Sequence, residues 1–448
     1  MNTLDWSKIP DLAAVALLTC AFASVARREQ TPFSGLWLIG WIAIAAHFAA
    51  FIFLPAPGIW GLIAADLGLS ALTTAGLLFM YASVPYRNET SSKWMLYSLL
   101  GANALYICIS DAAPNAGWPL DVSAFLLGAL PVALTMAALQ RVHHLLRWIL
   151  VILYGALSIF LWNVQHRASN GADLAMNAVL FTVYIGCAIT FWYTYRRATA
   201  GAFVTIAGFF AWAFVFVIAP LMETFLPRVQ VESEVWNLPK YIVAVGMILI
   251  LLEDQIAHNK YLALHDELTG LPNRRLFHDR LGAAIERARR TGSKVALMVV
   301  DLDQFKQVND TLGHHAGDLL LQQVSSVFTG RVRITDTVAR TGGDEFSIIL
   351  EDTGSVASAN QVAQFLIQLL NEPLKVSEKN VWVGASIGVA VFPDDATEME
   401  DLCIAADLRM YSQKKSAHSA AMRAASRAAA PRALEDPILM RMRNLPAR

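Results

Sequence analysis

Nine apolar stretches precede Glu253, and they restrict what this chain can fold into more than anything else in it. They run over roughly residues 10–26, 35–54, 58–82, 94–111, 117–140, 145–163, 172–194, 201–222 and 238–252. A helix needs about 20 apolar residues to cross the hydrocarbon of a bilayer, so the last stretch is short unless its flanks join it. The chain of 448 residues is 56% hydrophobic and 16% charged, too apolar for a soluble protein of its length. No soluble core buries nine such stretches with so few charges between them. In lipid, each segment must satisfy its own backbone N–H and C=O groups, and a helix does so. The sequence therefore predicts an all-α polytopic membrane domain over residues 1–252 with about nine spans, the count lying between eight and ten.

The connecting loops orient that domain. Arg27-Arg28, Arg87 with Lys93, Arg141 with Arg147, and Arg196-Arg197 fall in alternate loops, while 55–57 and 112–116 carry almost no Lys or Arg. Basic loops stay on the cytoplasmic side. This places the N-terminus outside and, after nine spans, the rest of the chain inside. A cleaved signal peptide over 10–26 fits less well, because Lys8 alone precedes the apolar run and Arg27-Arg28 follow it.

Few residues in this half suggest chemistry. His47 and Asp66 fall within spans, where ionisable groups are costly and often functional. They read either as a pair for a proton, metal or polar ligand, or as a helix-to-helix hydrogen bond. His143-His144 read as a solvated interfacial cluster. Segment 223–240, with Glu232, Glu234 and Trp236, is the longest external one and the candidate contact for a stimulus the sequence does not identify. Cys20, Cys108, Cys187 and Cys403 form no CxxC pair and read as packing residues.

Beyond Leu264 the chain changes character. Val338-Ala339-Arg340 and Phe346–Leu350 read as strands around Gly342-Gly343, which predicts a tight two-residue hairpin with φ > 0. Glycines without side chains admit a phosphate close to the backbone, and Asp344 and Glu345 set two carboxylates beside it. Upstream, Lys294–Val300 is an apolar run that ends in Asp301-Leu302-Asp303, the pattern of a buried strand whose end opens on a site. Carboxylates there suit Mg²⁺, which prefers oxygen ligands in octahedral geometry. Lys306 adds positive charge, and Asn309 and Asp318 supply the donor and acceptor that a guanine edge requires.

From about Tyr261 to Lys415 the chain resembles a GGDEF domain, the catalytic module of diguanylate cyclases. The resemblance rests on His265-Asp266-Glu267-Leu268-Thr269-Gly270-Leu271-Pro272-Asn273-Arg274, Asp301–Lys306, Asn309-Asp310, Gly313–Asp318, Gly342–Phe346, Ser386–Ala390 and Ala406–Tyr411, in that order. It implies an α/β domain over 265–418 with an antiparallel central sheet, like the palm of nucleotidyl cyclases and polymerases. It also implies that two copies, each holding one GTP, meet as a homodimer and release cyclic di-GMP and two pyrophosphates. Asp301, the Leu302 carbonyl and Asp344 would bind Mg²⁺ or Mn²⁺. Asp344 would accept the hydroxyl proton, and Glu345 would support the metal site or the turn. Phe305, Lys306, Asn309, His314, Asp318, Gly342, Gly343 and Lys414 would hold GTP. Arg333 and Asp336, an Arg-x-x-Asp pair five residues before Gly342, would bind cyclic di-GMP as an inhibitor. One departure stands out: His418 occupies the place where the family commonly has an arginine, and Lys415 is at hand to compensate.

These readings join into one organisation. A membrane half is followed by a signalling helix over 253–264, a cytoplasmic cyclase domain, and an Ala/Arg-rich tail over 419–448 that is a flexible end or a short helix. The expected place is the inner membrane of a bacterium, with no nucleic-acid partner. Two other readings are a receptor that binds GTP or cyclic di-GMP without turnover, and a transporter with a regulatory nucleotide domain.

Overall fold

The structure, a computed structural model, describes residues 4–27, 34–83, 90–112, 117–138, 144–167, 171–195, 199–229, 231–376 and 379–429. The chain divides into two compact units, Met1–Ala257 and His258–Arg448. Arg28, Arg87, Arg141, His143, Arg196 and Arg197 lie outside the described residues, as does the tail beyond 429 and the side chain of His418.

The first unit is helical. Its helices are α1 (Ile9–Ala26), α2 (Ser34–Phe51), α3 (Ile59–Ala82), α4 (Thr90–Ala112), α5 (Trp118–Ala138), α6 (His144–Arg167), α7 (Gly171–Thr194), α8 (Ala200–Phe225) and α9 (Ser233–Leu264). Among the described residues, seven of them are long and apolar enough to cross a membrane, and the apolar parts of the other two, Leu96–Ser110 and Trp118–Val132, are shorter. Leu17, Trp60, Ile152, Trp192 and Phe203 are exposed on the outside. A surface of that kind suits lipid better than water. The interior is aromatic: Trp37, Trp41, Phe79, Tyr184, Phe191, Phe209 and Trp212 are fully buried, and the Tyr184 and Trp212 rings stack with centroids 4.0 Å apart.

Helices α8 and α9 approach to backbone contact. A Cβ on Gly246 would stand 2.6 Å from the Thr205 nitrogen, and one on Gly208 would stand 3.0 Å from the Val243 nitrogen. Only glycine permits this spacing. The Gly201 N–H donates to Glu253 Oε1 at 3.1 Å, so a carboxylate of α9 caps the first turn of α8.

One sequence expectation changes here. Helix α8 ends at Phe225 and α9 begins at Ser233, so Glu234 and Trp236 of the supposed outer loop are helical. The apolar pattern continues through Val235 and Leu238, Glu234 favours a helix start, and Pro239 stands inside α9 without ending it. The same helix runs through to Leu264, so the last span and the signalling segment form one element.

The second unit is a helix–sheet–helix sandwich. It contains α10 (Arg274–Thr291), β1 (Val295–Asp303), α11 (Phe305–Leu312), α12 (His314–Thr329), β2 (Thr337–Arg340), β3 (Glu345–Leu350), α13 (Val356–Leu370), β4 (Leu374–Val376), β5 (Lys379–Val381), β6 (Gly384–Phe392) and α14 (Met399–Ala429). The main sheet is antiparallel in the order β2-β3-β1-β6, and β4 and β5 form a separate pair. Successive side chains of a strand face opposite sides, and β1 uses both. Ala296, Met298, Val300 and Leu302 join Leu320, Val324 and Phe328 of α12 and Leu366 of α13. Val295 and Leu297 join Leu281 and Ile285 of α10 and Leu402 and Ala406 of α14. Burial on both faces explains why the strand reads as a continuous apolar run. Helix α14 continues past Ser419 to Ala429, so the first part of the expected tail is helical.

Candidate functional site

The end of β1 forms the centre of the site. Its register with β3 sets Asp301 opposite Glu345, and the Leu302 N–H donates to the Asp344 carbonyl at 3.2 Å. The structure thus brings Asp301, Leu302, Asp344 and Glu345 together at one sheet end. Asp301 is 7% exposed, and its Oδ1 accepts from Lys414 Nζ at 2.6 Å. Burial alone would lower the Lys414 pKa, but the hydrogen bond and charge of Asp301, with Asp344 and Asp303 behind it, hold the ammonium above its usual range. Oxygen groups that draw in a cation suit a hard divalent ion, although among the described residues no group of three or more His, Cys, Asp or Glu side chains is arranged to hold one. Asp301, Asp344 and the Leu302 carbonyl are the groups that would hold it.

The connection between β2 and β3 corrects the sequence expectation. It is not a two-residue turn: Thr341 to Asp344 lie between the strands, with Thr341 N–H donating to the Glu345 carbonyl at 3.0 Å. Neither Gly342 nor Gly343 has positive φ. Gly342 lies close under Glu345 instead, since a Cβ there would lie 2.6 Å from Glu345 Oε2 and 3.2 Å from its Cβ. Gly343 faces open space, with nothing within 4 Å of a Cβ built on it.

A second wall follows β1. Gln304 adopts a left-handed conformation (φ 62°) and starts α11, and Gly313 (φ 85°) separates α11 from α12. The two short helices cross at Gly317, where any Cβ would strike Asn309 Oδ1 and come within 3.2 Å of Phe305. This seats Asn309 beside the turn of α12 that carries Asp318. Lys306, His314 and Asp318 are exposed, and among the described residues none of them forms an ion pair with Asp301 or Asp344.

The helix that delivers Lys414 is fitted to the outer edge of β6. The Ile387 N–H donates to Gln413 Oε1 (2.8 Å), Arg409 Nη1 donates to the Val389 carbonyl (2.6 Å), and the Val391 N–H donates to Asp395 Oδ2 (2.8 Å). A Cβ on Gly388 would lie 2.9 Å from Met410 Cα, so glycine lets α14 settle onto the strand. Arg409 also pairs with Asp395 at 2.6 Å and holds that carboxyl below the usual carboxylate range.

Sequence reasoning missed one part of the site. Arg340 Nη1 meets Asp266 Oδ1 at 2.9 Å, while its Nη2 and Nε donate to the Gly343 carbonyl at 2.7 and 3.1 Å. Asp266 Oδ1 also accepts from the Thr269 N–H and hydroxyl. Burial opposes ionisation of Asp266, yet the Thr269 and Arg340 hydrogen bonds keep its carboxyl below the usual range. The Asp-x-x-Thr spacing of a side-chain-capped turn was the available signal.

Arg333 and Asp336 lie apart, on the turn before β2. Asp336 Oδ2 accepts from the Arg333 N–H (2.8 Å) and its Oδ1 from the Glu351 N–H (3.1 Å). A cleft of about 200 Å³ opens there, lined by Arg331, Arg333, Asp336, Glu351 and Ser358 among others. In the first unit, His47 Nδ1 meets the Gly68 carbonyl of α3 at 2.9 Å.

Residues 263–420 match the model of the diguanylate cyclase GGDEF domain. The chain is 46% identical over 153 residues to the bifunctional diguanylate cyclase/cyclic di-GMP phosphodiesterase MucR of Pseudomonas aeruginosa, covering 34% of this chain and 22% of that protein. It is 38% identical over 167 residues to the diguanylate cyclase TpbB of the same organism, covering 37% of this chain and 38% of TpbB. A solved structure comprising only the TpbB GGDEF domain aligns with 38% identity over 34% of this chain and 89% of that one, at a TM-score of 0.33. The chain thus spans well under half the length of the curated relatives it matches. Residues 263–420 are a GGDEF domain with diguanylate cyclase homologues.

Proposed function

We propose that the protein is a membrane-bound diguanylate cyclase that condenses two GTP into cyclic di-GMP and two pyrophosphates. The observation that carries this reading is the meeting of Asp301, Asp344 and Lys414 at one sheet end, next to the open backbone of Gly343. The reaction is phosphoryl transfer, where positioning and charge do most of the work. The 3′ oxygen of one GTP bonds to the α-phosphorus of the other, the bond from that phosphorus to the pyrophosphate oxygen breaks, and Asp344 takes the hydroxyl proton. Mg²⁺, when bound by Asp301, Asp344 and the Leu302 carbonyl, supplies positive charge to the phosphate oxygens. Lys414 exchanges Asp301 for phosphate as the nucleotide enters, and Lys306 draws the phosphates from its exposed position on α11. Asn309 and Asp318 read the guanine edge, with Phe305 and His314 beside them.

Each domain supplies half of the reacting pair, so two copies must face each other. Seven apolar helices support a membrane location, and the alternating basic loops support an external N-terminus and a cyclase on the GTP side. The inner membrane of a bacterium is the setting that fits. The cleft at Arg333 and Asp336 supports product feedback: arginine can pair bidentately with phosphate or the guanine edge. A silent receptor is less well supported, because Asp301, Lys306 and Asp344 are all retained. The deciding experiment is purified full-length protein with GTP and Mg²⁺, assayed for cyclic di-GMP. Absence of product under conditions where GTP still binds would favour the receptor.

A further inference from the structure

Helix α14 carries apolar residues on two opposite sides. Leu402, Ala406 and Met410 are buried on the side that packs against the sheet. Ile404, Leu408 and Tyr411 form a second row at helical spacing, and they are 57%, 62% and 53% exposed. Single apolar residues on a surface are ordinary, but a continuous row of large ones marks a contact. A helix apolar on both sides belongs between two layers, and the described residues supply one of them. Charge frames the uncovered row. Glu400, Asp401 and Asp407 are exposed around its first part, and among the described residues none of the three forms an ion pair. Glu400 and Asp401 suit a helix start, whereas Asp407 lies beyond the first turn. At the other end, Lys415 Nζ stands 4.4 Å from the Tyr411 ring centre.

The chain beyond Ala429 contains a segment of matching pattern. Ile438, Met442 and Leu445 have the same spacing as Ile404, Leu408 and Tyr411, so a helical turn would set them on one side. Glu435 and Asp436 come before them, and Arg441, Arg443 and Arg448 come among and after them. Laid antiparallel to α14, this order sets the two acids beside Lys415 and the arginines beside Asp407, Asp401 and Glu400. The reach is sufficient. At about 1.5 Å per residue, α14 extends about 27 Å from Tyr411 to Ala429. The chain from Ala429 to Ile438 spans about 30 Å when extended, enough to return to Tyr411. Pro431 and Pro437 disfavour a straight continuation of the helix between those points.

We propose that residues 438–445 dock on the row of Ile404, Leu408 and Tyr411 in the same chain, antiparallel to α14. Burial of the two apolar rows drives the contact, and the opposed charges at its two ends set its direction. Other occupants match less completely. An anionic lipid surface would meet the acids of the row, like charge facing like. A second α14 brings Lys415 to those acids, where the tail brings three arginines. Lys414 follows Tyr411 by one turn, so the docked segment rests against the part of α14 that carries the ammonium to Asp301. Docking needs no turnover, and it is tested without nucleotide.

The test uses the full chain in nanodiscs containing phosphatidylglycerol, with the photo-cross-linker benzoylphenylalanine placed at Leu408. After illumination, the product is sized on a denaturing gel and its linked peptides are identified by mass spectrometry. The expected product has the mass of one chain and joins α14 to a peptide from residues 433–445. Arg441→Glu with Arg443→Glu should lower its yield about fivefold or more. Asp401→Arg with Asp407→Arg should lower it similarly, and combining the two pairs of reversals should restore it. That restoration separates a charge-matched contact from a variant that has merely misfolded. A product with the mass of two chains overturns the proposal and assigns the row to a second copy. Cross-links to lipid overturn it in favour of the membrane surface. No cross-link to the tail, or a yield indifferent to the reversals, overturns it as well.

Discussion

Arg340 holds the Asp266 carboxylate and the Gly343 carbonyl at the same time, at 2.9 and 2.7 Å. One guanidinium thereby ties the opening segment of the domain to the glycine loop of its site. Arginine suits this position because its planar fork reaches two acceptors in fixed directions.

Removing either partner should loosen that loop. Asp266→Asn or Arg340→Ala is expected to cost on the order of 2 kcal/mol, since both side chains are largely buried and their hydrogen bonds are charge-assisted. The pH dependence has a definite sign. The folded-state pKa of Asp266 lies below its ordinary value, so its contribution is present above about pH 4 and is lost as pH falls through the folded value. Hydrogen exchange of residues 337–350 in the full chain should show wild type losing protection on acidification toward pH 3. Asp266→Asn should be less protected at neutral pH and should fall less steeply.

Asp301→Ala and Asp344→Ala should each reduce cyclic di-GMP synthesis by at least about a hundredfold. Neither change removes core packing from the sheet, so the far-ultraviolet circular dichroism should be retained. Turnover near that of wild type in either variant would sink the metal-site assignment.

Gln413→Ala probes the edge of β6. Without its acceptor, the Ile387 N–H is left unmet and the turn that carries Lys414 is less constrained. The expected result is a raised KM for GTP, by about threefold to tenfold, with kcat reduced less. Gln413→Glu keeps the acceptor and should restore KM. Equal effects of the two substitutions would show that the contact does not position Lys414.

Arg333→Ala should raise the final level of cyclic di-GMP while leaving the divalent-metal requirement unchanged. Added cyclic di-GMP should inhibit wild type and spare the variant. Equal inhibition of both would place the inhibitory site elsewhere.

A reporter fused after Arg448 should behave as cytoplasmic, and one fused near Asn2 as external. Both reporters on the same side would mean that the number of spans is even, and the reverse pattern would mean that the orientation is inverted.

What was legible in the sequence follows from how far apart the interacting residues lie. The apolar run of β1 and the helices of the first unit are local patterns, and they could be read directly. Asp301 and Asp344 could be joined once their strands were supposed to pair. The glycine loop could not be typed from its glycines, because its length is fixed by where Arg340 and Phe346 pair, and that register depends on β1 packing beside β3. The contacts of Asp266 with Arg340 and of Lys414 with Asp301 span 74 and 113 residues, and no periodicity signals them. The start of α9 was misplaced because the loop and the helix share polar residues such as Glu234 and Asn237.

The fit of α14 along β6 has a consequence for how two copies meet. A free strand edge is an invitation to another strand, and sheets that accept it tend to join for good. Here Arg409, Gln413 and Asp395 occupy hydrogen-bonding groups on the outer edge of β6. An added strand therefore finds these backbone groups of β6 already taken. In the proposed cyclase, copies that do not fuse along this edge could part again, and halves that must meet anew for each product could be stopped simply by keeping them from meeting.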